Sequence, residues 1–151
     1  MVVSDYLKEK FCLVDLQATD KEGAIKELSE VLSAGGKIID QEAFRKDVLE
    51  REDLGSTGIG NNVGIPHART KAVKGFVVAF GRSTSGIEFK ALDGEKVNLI
   101  FLMGADPGEL NLYLRILAEL SKLLMNGTFR ETLISAKSAA EVIAAVKKFE
   151  Q

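Results

Sequence analysis

The sequence carries a single histidine, His67, at the end of the stretch Leu54-Gly55-Ser56-Thr57-Gly58-Ile59-Gly60-Asn61-Asn62-Val63-Gly64-Ile65-Pro66-His67-Ala68-Arg69. Glycine-rich, turn-forming segments of this kind carry chemistry when a rigid scaffold presents them. Imidazole is the one side chain whose ordinary pKa lies near neutrality, so at cellular pH much of it offers a free lone pair. His67 is therefore a candidate acceptor, base or ligand. With one histidine and one cysteine, Cys12, the usual tetrahedral nitrogen and sulfur sets cannot be assembled, and the carboxylates lack calcium-loop spacing. A serine hydrolase would need a Gly-x-Ser-x-Gly elbow, and Ser56 lacks that flanking. The glycines match neither the phosphate loop that ends in Gly-Lys-Ser/Thr nor the dinucleotide fingerprint.

Covalent catalysis by the histidine itself passes this screen. A neutral imidazole can attack phosphorus, and the phosphoramidate it forms is reactive enough to pass the group on. Such a carrier needs backbone N–H groups, hydroxyls or a guanidinium to stabilise three charged phosphoryl oxygens. The glycines permit close backbone approach, Ser56 and Thr57 supply hydroxyls, Arg51 or Arg69 supplies a planar cationic fork, and Pro66 fixes the backbone angle before the acceptor. Plainer roles fit the same residues: turns at the glycines, loop capping at Ser56 and Thr57, a solvated helix tail around Arg51, a solvent-facing Arg69. Spacing alone leaves both accounts open.

The elements that must position this segment follow from periodicity. Phe11 to Leu16 is apolar enough for a strand, and Thr19-Asp20-Lys21-Glu22 reads as a capping box for a helix that buries Ala24, Ile25, Leu28, Val31 and Leu32. Gly35 and Gly36 end it. A second helix starts at Asp40, buries Phe44, Val48 and Leu49, and trails into Arg51, Glu52 and Asp53. Beyond His67 the pattern turns extended. Phe76 to Phe80 and Val97 to Met103 read as buried strands, Gly86 to Phe89 as a further one, and Asp93-Gly94 as a tight turn. Pro107-Gly108 opens a long helix with Leu112, Ile116, Leu117, Leu120 and Leu124 inward, ending at Asn126-Gly127. Capping boxes at Thr128 to Glu131 and Ser138 to Glu141 start two short terminal helices. Helices on both sides of a strand group predict a three-layer α/β/α sandwich.

Composition sets the outer bounds. The 151 residues, with 46% apolar and 28% charged side chains, suit one soluble globular unit, and no linker or repeat divides residues 1–151. A formal charge of −2 without a basic block argues against nucleic acid. No apolar stretch approaches the ~20 residues needed to span a bilayer, and no basic-then-apolar signal pattern opens the chain, so a cytoplasmic location without membrane insertion is expected. Cys12 lies in an alternating segment and reads as a buried thiol without a role.

Arg51-Glu52, Ser56-Thr57-Gly58-Ile59-Gly60 and Val63-Gly64-Ile65-Pro66-His67 together resemble the core motif of the fructose- and mannitol-type enzyme IIA domains of the bacterial phosphotransferase system. That family includes the nitrogen-regulatory IIA proteins. The resemblance runs on through Asp93-Gly94, the Val97 to Met103 strand, Tyr113 to Ala118, Leu123-Leu124 and Ala136 to Val146. It implies a cytoplasmic phosphocarrier of α/β/α form with a mixed sheet of about five strands. By that resemblance His67 accepts a phosphoryl group from phospho-HPr and passes it to a IIB cysteine for sugar uptake. The alternative it allows is a regulator whose phosphorylation state controls binding to other proteins. Arg51 matches the arginine that holds the phosphoryl group, Thr57 the motif threonine, and no metal or organic cofactor is implied. One position departs from the pattern. Family members commonly carry a second histidine where Tyr113 aligns, with Asn111 the other possible register. A phenol can donate a hydrogen bond there but cannot carry positive charge at neutral pH.

Overall fold

A computed structural model of the chain describes residues 3–151. The chain order is helix α1 (Val3–Tyr6), a 3-10 turn (Glu9–Phe11), strand β1 (Cys12–Leu13), helices α2 (Lys21–Ser33) and α3 (Gln41–Leu54), and strands β2 (Gly58–Gly60), β3 (Val63–Gly64), β4 (His67–Arg69), β5 (Phe76–Ile87) and β6 (Val97–Ala105). A 3-10 turn (Pro107–Glu109) then leads into α4 (Leu110–Leu124), α5 (Gly127–Ser135) and α6 (Ala139–Phe149).

The strands form one mixed, six-stranded sheet in the order β1-β5-β6-β3-β2, with β4 also paired to β6. β5 and β6 form its antiparallel centre, from Phe76 opposite Ala105 to Ile87 opposite Val97. β1 joins β5 in parallel, and β3 and β4 both join β6 in parallel, one after the other along its length. The period-2 alternation of β5 and β6 divides the core between two faces. Val78, Phe80, Leu99, Phe101 and Met103 pack with Ile116, Leu120, Phe129, Leu133 and Val142 of α4 to α6. Val77, Ala79, Ile100 and Leu102 pack with Ile25, Leu28, Phe44 and Val48 of α2 and α3. The result is the expected three-layer α/β/α sandwich, with six strands in place of about five.

Local chemistry explains the helix starts. Asp20, not Thr19, caps α2 by accepting from the Gly23 N–H at 2.7 Å, and Asp40 caps α3 by accepting from the Ala43 N–H at 3.1 Å. Asn126, rather than Thr128, caps α5, because its carbonyl oxygen reaches the N–H groups of both Thr128 and Phe129. Ser138 caps α6 as the motif predicts, and the Glu141 carboxylate reaches back to the N–H of Lys137. Of the expected separate strand at Gly86 to Phe89, Gly86 and Ile87 instead end β5, after a register shift between Arg82 and Ile87, and Glu88 makes an isolated parallel bridge to Asp20. The glycine-rich segment is not a plain loop: a two-residue turn at Asn61 and Asn62, both with positive φ, folds β2 back on β3.

One close approach fixes the distance between α3 and the sheet. A Cβ built at Gly104 would lie 2.5 Å from the Phe44 ring, so the absence of a side chain there lets α3 settle against β6 beside β4. Gly104→Ala should therefore cost about 1–3 kcal/mol through overpacking. A thermal melt should show a decrease of roughly 2–4 °C per kcal/mol. An unchanged melting temperature would mean that Phe44 moves aside freely.

Candidate functional site

His67 opens β4, whose backbone is pinned to β6 by the Met103 N–H to Pro66 carbonyl bond at 3.0 Å and the Thr70 N–H to Ala105 carbonyl bond at 2.8 Å. In a strand, alternate residues share a face. Ala68 is buried in the core shared with α3, while His67 is half-buried and Arg69 exposed. The His67 ring meets the Tyr113 ring of α4 edge-on, with centroids 5.7 Å apart and an interplanar angle of 62°. Both rings line an open hollow of about 740 Å³ with Arg51, Asp47, Glu50 and Leu54 of α3, Arg69 of β4, and Leu110 and Leu114 of α4.

The tautomer of His67 follows from its hydrogen bond to the Ile65 carbonyl. Nδ1 lies 2.6 Å from the Ile65 carbonyl oxygen, which can only accept, so Nδ1 carries the proton and donates. The lone pair on Nε2 is left free. Burial is the main cause that holds the ring below its ordinary value near 6.5; the Ile65 carbonyl opposes it, Arg51 adds to it, and Glu52 opposes it. The ring is thus neutral at pH 7. Since the unfolded chain protonates more readily, acidification from 6.5 down through the lower folded value removes stability, whereas above 6.5 the contribution is complete. The single imidazole makes this measurable. Its NMR titration should have a midpoint below 6.5, and a midpoint at or above that value would contradict the environment described here.

Tyr113 is buried, and burial pushes its phenol above the usual value near 10 despite the opposing influence of Arg51 and Arg69. It stays protonated at neutral pH and remains a hydrogen-bond donor. Asn111, the alternative register, is exposed and does not line the hollow. Arg51 turns its Nη1 to the Gly55 carbonyl at 3.0 Å, in the turn that follows α3.

Ser56 and Thr57 are placed differently from the expectation. The Ser56 hydroxyl donates to the Phe89 carbonyl at 2.8 Å and accepts from the Gly58 N–H at 3.0 Å. The Thr57 hydroxyl donates to the Glu52 carboxylate, whose other oxygen accepts the Thr57 N–H at 3.2 Å. Neither residue lines the hollow. Nor do the glycines cradle it: Gly58 and Gly64 make room for Ala91 and for the Phe89 ring.

Glu52 stands in the Arg51-Glu52 pair of the motif, but the sequence assigned it no role of its own. It was read into a charged helix tail, yet its side chain is only 2% exposed and accepts from Lys21 Nζ at 2.8 Å. The signal was present: Glu52 follows the buried Phe44 and Val48 at four-residue steps, on the inward face of α3. Cys12 is buried as expected, with burial pushing its thiol up to about 12. Among the described residues no group of three or more histidine, cysteine or carboxylate side chains could hold a metal ion, and no helix is long and apolar enough to cross a membrane.

Residues 5–149 match the family described as phosphoenolpyruvate-dependent sugar phosphotransferase system, EIIA 2. The chain belongs to this EIIA family. It is 40% identical over 122 residues to the PTS system fructose-specific EIIA component of Haloferax volcanii, covering 81% of this chain and 79% of that one. It is 34% identical over 151 residues to the PTS system fructose-specific EIIABC component of Bacillus subtilis, covering 100% of this chain but only 24% of that larger protein. Among solved structures, nitrogen regulatory protein IIA-Ntr from Neisseria meningitidis superposes with a TM-score of 0.90 at 29% identity, over 97% of this chain and 99% of that one. The chain is thus an EIIA protein of the fructose or the nitrogen-regulatory type.

Proposed function

We propose that this chain is a phosphocarrier in which His67 Nε2 takes a phosphoryl group from phospho-HPr and passes it to a cysteine on a IIB domain for sugar uptake. The observation that carries this reading is a neutral imidazole, its Nδ1–H bonded to the Ile65 carbonyl and its Nε2 lone pair left over, whose ring lines a hollow edged by Arg51, Arg69 and Tyr113. In the transfer, Nε2 forms the new N–P bond while the bond from phosphorus to the donor's ring nitrogen breaks and its electron pair stays with that ring. No proton has to leave His67. Nδ1–H persists, and the positive charge that develops on the ring is held against the Ile65 carbonyl dipole. The Arg51 guanidinium supplies the charge complement for the phosphoryl oxygens, and the Tyr113 phenol supplies a neutral donor where relatives commonly place a second histidine. Thr57 acts through Glu52 rather than on the phosphoryl group itself.

The rim of the hollow suits a protein partner rather than a small sugar. Leu54 is 85% exposed, Leu114 50% and Leu110 40%, and they flank the imidazole. Apolar side chains around a reactive centre favour docking of another protein surface. No metal or organic cofactor has a place in the scheme, because docked partners bring the reacting atoms into line.

The second reading, a regulator whose phosphorylation state governs binding to other proteins, is favoured by the close superposition on the Neisseria IIA-Ntr structure. The fructose-type reading is favoured by the higher identity to the Haloferax component. One experiment separates them. The chain is loaded with ³²P from phosphoenolpyruvate, enzyme I and HPr, then mixed with a fructose-type IIB domain. Rapid appearance of label on the IIB cysteine supports the transport role; retention of label on this chain supports the regulatory one.

A further inference from the structure

We infer that Glu52 is a positioning residue: with Lys21 and Thr57 it forms a buried clasp that sets both Arg51 and His67 in the hollow. The inference rests on the phosphocarrier reading and extends it to a side chain that touches neither partner nor phosphoryl group.

The bonds trace two branches from Glu52, one beginning at its main-chain carbonyl and one at its carboxylate. On one branch, the Glu52 main-chain carbonyl accepts the Gly55 N–H at 3.1 Å, and the Gly55 carbonyl in turn accepts Arg51 Nη1 at 3.0 Å. Because the Glu52 carboxylate also holds both the N–H and the hydroxyl of Thr57, the turn between α3 and β2 is gripped at both ends by the same residue. On the other branch, the Thr57 carbonyl accepts the Ile65 N–H at 3.2 Å, and the Ile65 carbonyl accepts Nδ1–H of His67 at 2.6 Å. The orientation of the guanidinium and the tautomer of the imidazole therefore both descend from Glu52.

A stability role explains the clasp poorly. A carboxylate in the last turn of a helix opposes the helix dipole. Replacing a buried ion pair by apolar groups is commonly neutral or stabilising, so the pair itself is weak evidence of a gain in stability. Glu52 is nonetheless buried, with 2% side-chain exposure, against a half-buried Lys21 at 18%. What the arrangement supplies is geometry: the turn is fixed to α2 through Lys21 and to β2 through Thr57. Misplacement of a reacting group by about 1 Å can lower a rate on the order of 100-fold. The carboxylate also opposes, through space, the influence of Arg51 on His67.

The test compares the native chain with Glu52→Gln, Thr57→Val, Thr57→Ser and the Glu52→Gln/Thr57→Val pair. Three quantities are read: the single-turnover rate of phosphoryl uptake from phospho-HPr, the NMR titration of the one imidazole, and the melting temperature. Glu52→Gln and Thr57→Val should each slow uptake by about 10- to 100-fold. Thr57→Ser, which keeps the hydroxyl, should stay near the native rate, and the double variant should be no slower than the slower single one. In Glu52→Gln the imidazole midpoint should move further down, a change that loss of packing alone would not produce. Native rates and titration in Glu52→Gln and Thr57→Val would overturn the inference, as would Thr57→Ser being as impaired as Thr57→Val. If Glu52→Gln does not fold, the Thr57 pair decides. Failure of the native chain to take up any phosphoryl group would defeat the phosphocarrier reading, whereas the titration comparison would still show whether Glu52 sets His67.

Discussion

Replacing His67 by alanine should abolish phosphorylation while leaving the fold almost unchanged. The ring is half-buried and makes a hydrogen bond to a carbonyl two residues away, together with an edge contact to Tyr113. Loss of one such bond costs about 1 kcal/mol. In a chain of 151 residues that lowers the melting temperature by only about 2–4 °C. No other imidazole exists to take the group, and the thiol of Cys12 is buried and pushed up to about 12, which leaves it without nucleophilic thiolate. Intact-mass measurement after incubation with phosphoenolpyruvate, enzyme I and HPr should show no mass gain for His67→Ala. Native-like labelling of that variant would place the acceptor elsewhere.

Arg51→Ala is expected to have the next largest effect on transfer. Removing one preorganised donor from a developing charge typically lowers a rate by about 10²–10³-fold. Arg51 donates to the Gly55 carbonyl at the surface, so its truncation should cost little stability. Arg51→Lys should fall between the two, since an ammonium is a point charge that cannot grip two oxygens as a planar fork does. Stopped-flow uptake from phospho-HPr, with melting curves alongside, checks this. A native transfer rate accompanied by a large loss of melting temperature would assign Arg51 to the scaffold instead.

The long elements were legible in the sequence because their patterns are long. Runs of β-branched and aromatic residues marked β5 and β6, and the inward faces of α2, α3 and α4 followed the helical period at Leu28, Phe44, Val48, Ile116 and Leu120. Strands β2, β3 and β4 have only two or three residues each, too few for alternation to register, and so their segment read as a loop. The expected strand at Phe11 to Leu16 shrank to Cys12–Leu13 for a related reason: Glu9–Phe11 closes a 3-10 turn immediately before it. At α2 and α5 the serine/threonine capping pattern pointed one or two residues away from the Asp20 and Asn126 side chains that cap them.

The same division holds at the site. The motif made His67, Arg51 and Tyr113 candidates, and the fold brings them to one hollow because α3 and α4 flank the end of β4. Thr57 and the glycines were drawn toward the reactive centre by sequence proximity and, for Thr57, by its match to the motif threonine, whereas the fold turns them to Glu52, Ala91 and Phe89. Glu52 stood in the motif without a role of its own because a glutamate between arginine and aspartate reads as solvated. Its inward step after Phe44 and Val48 was the counter-signal, and only the Lys21 and Thr57 partners explain how the charge is accommodated.

The most direct test of the central claim is to locate the phosphoryl group atom by atom. The chain, labelled with ¹⁵N in its one imidazole and phosphorylated through phospho-HPr, would be studied by ³¹P and ¹⁵N NMR at neutral to mildly basic pH. The account predicts one acid-labile phosphoryl group bonded to Nε2 of His67, with the proton retained on Nδ1. A group on Nδ1 or on another residue, or no group at all while HPr itself is phosphorylated, would contradict it.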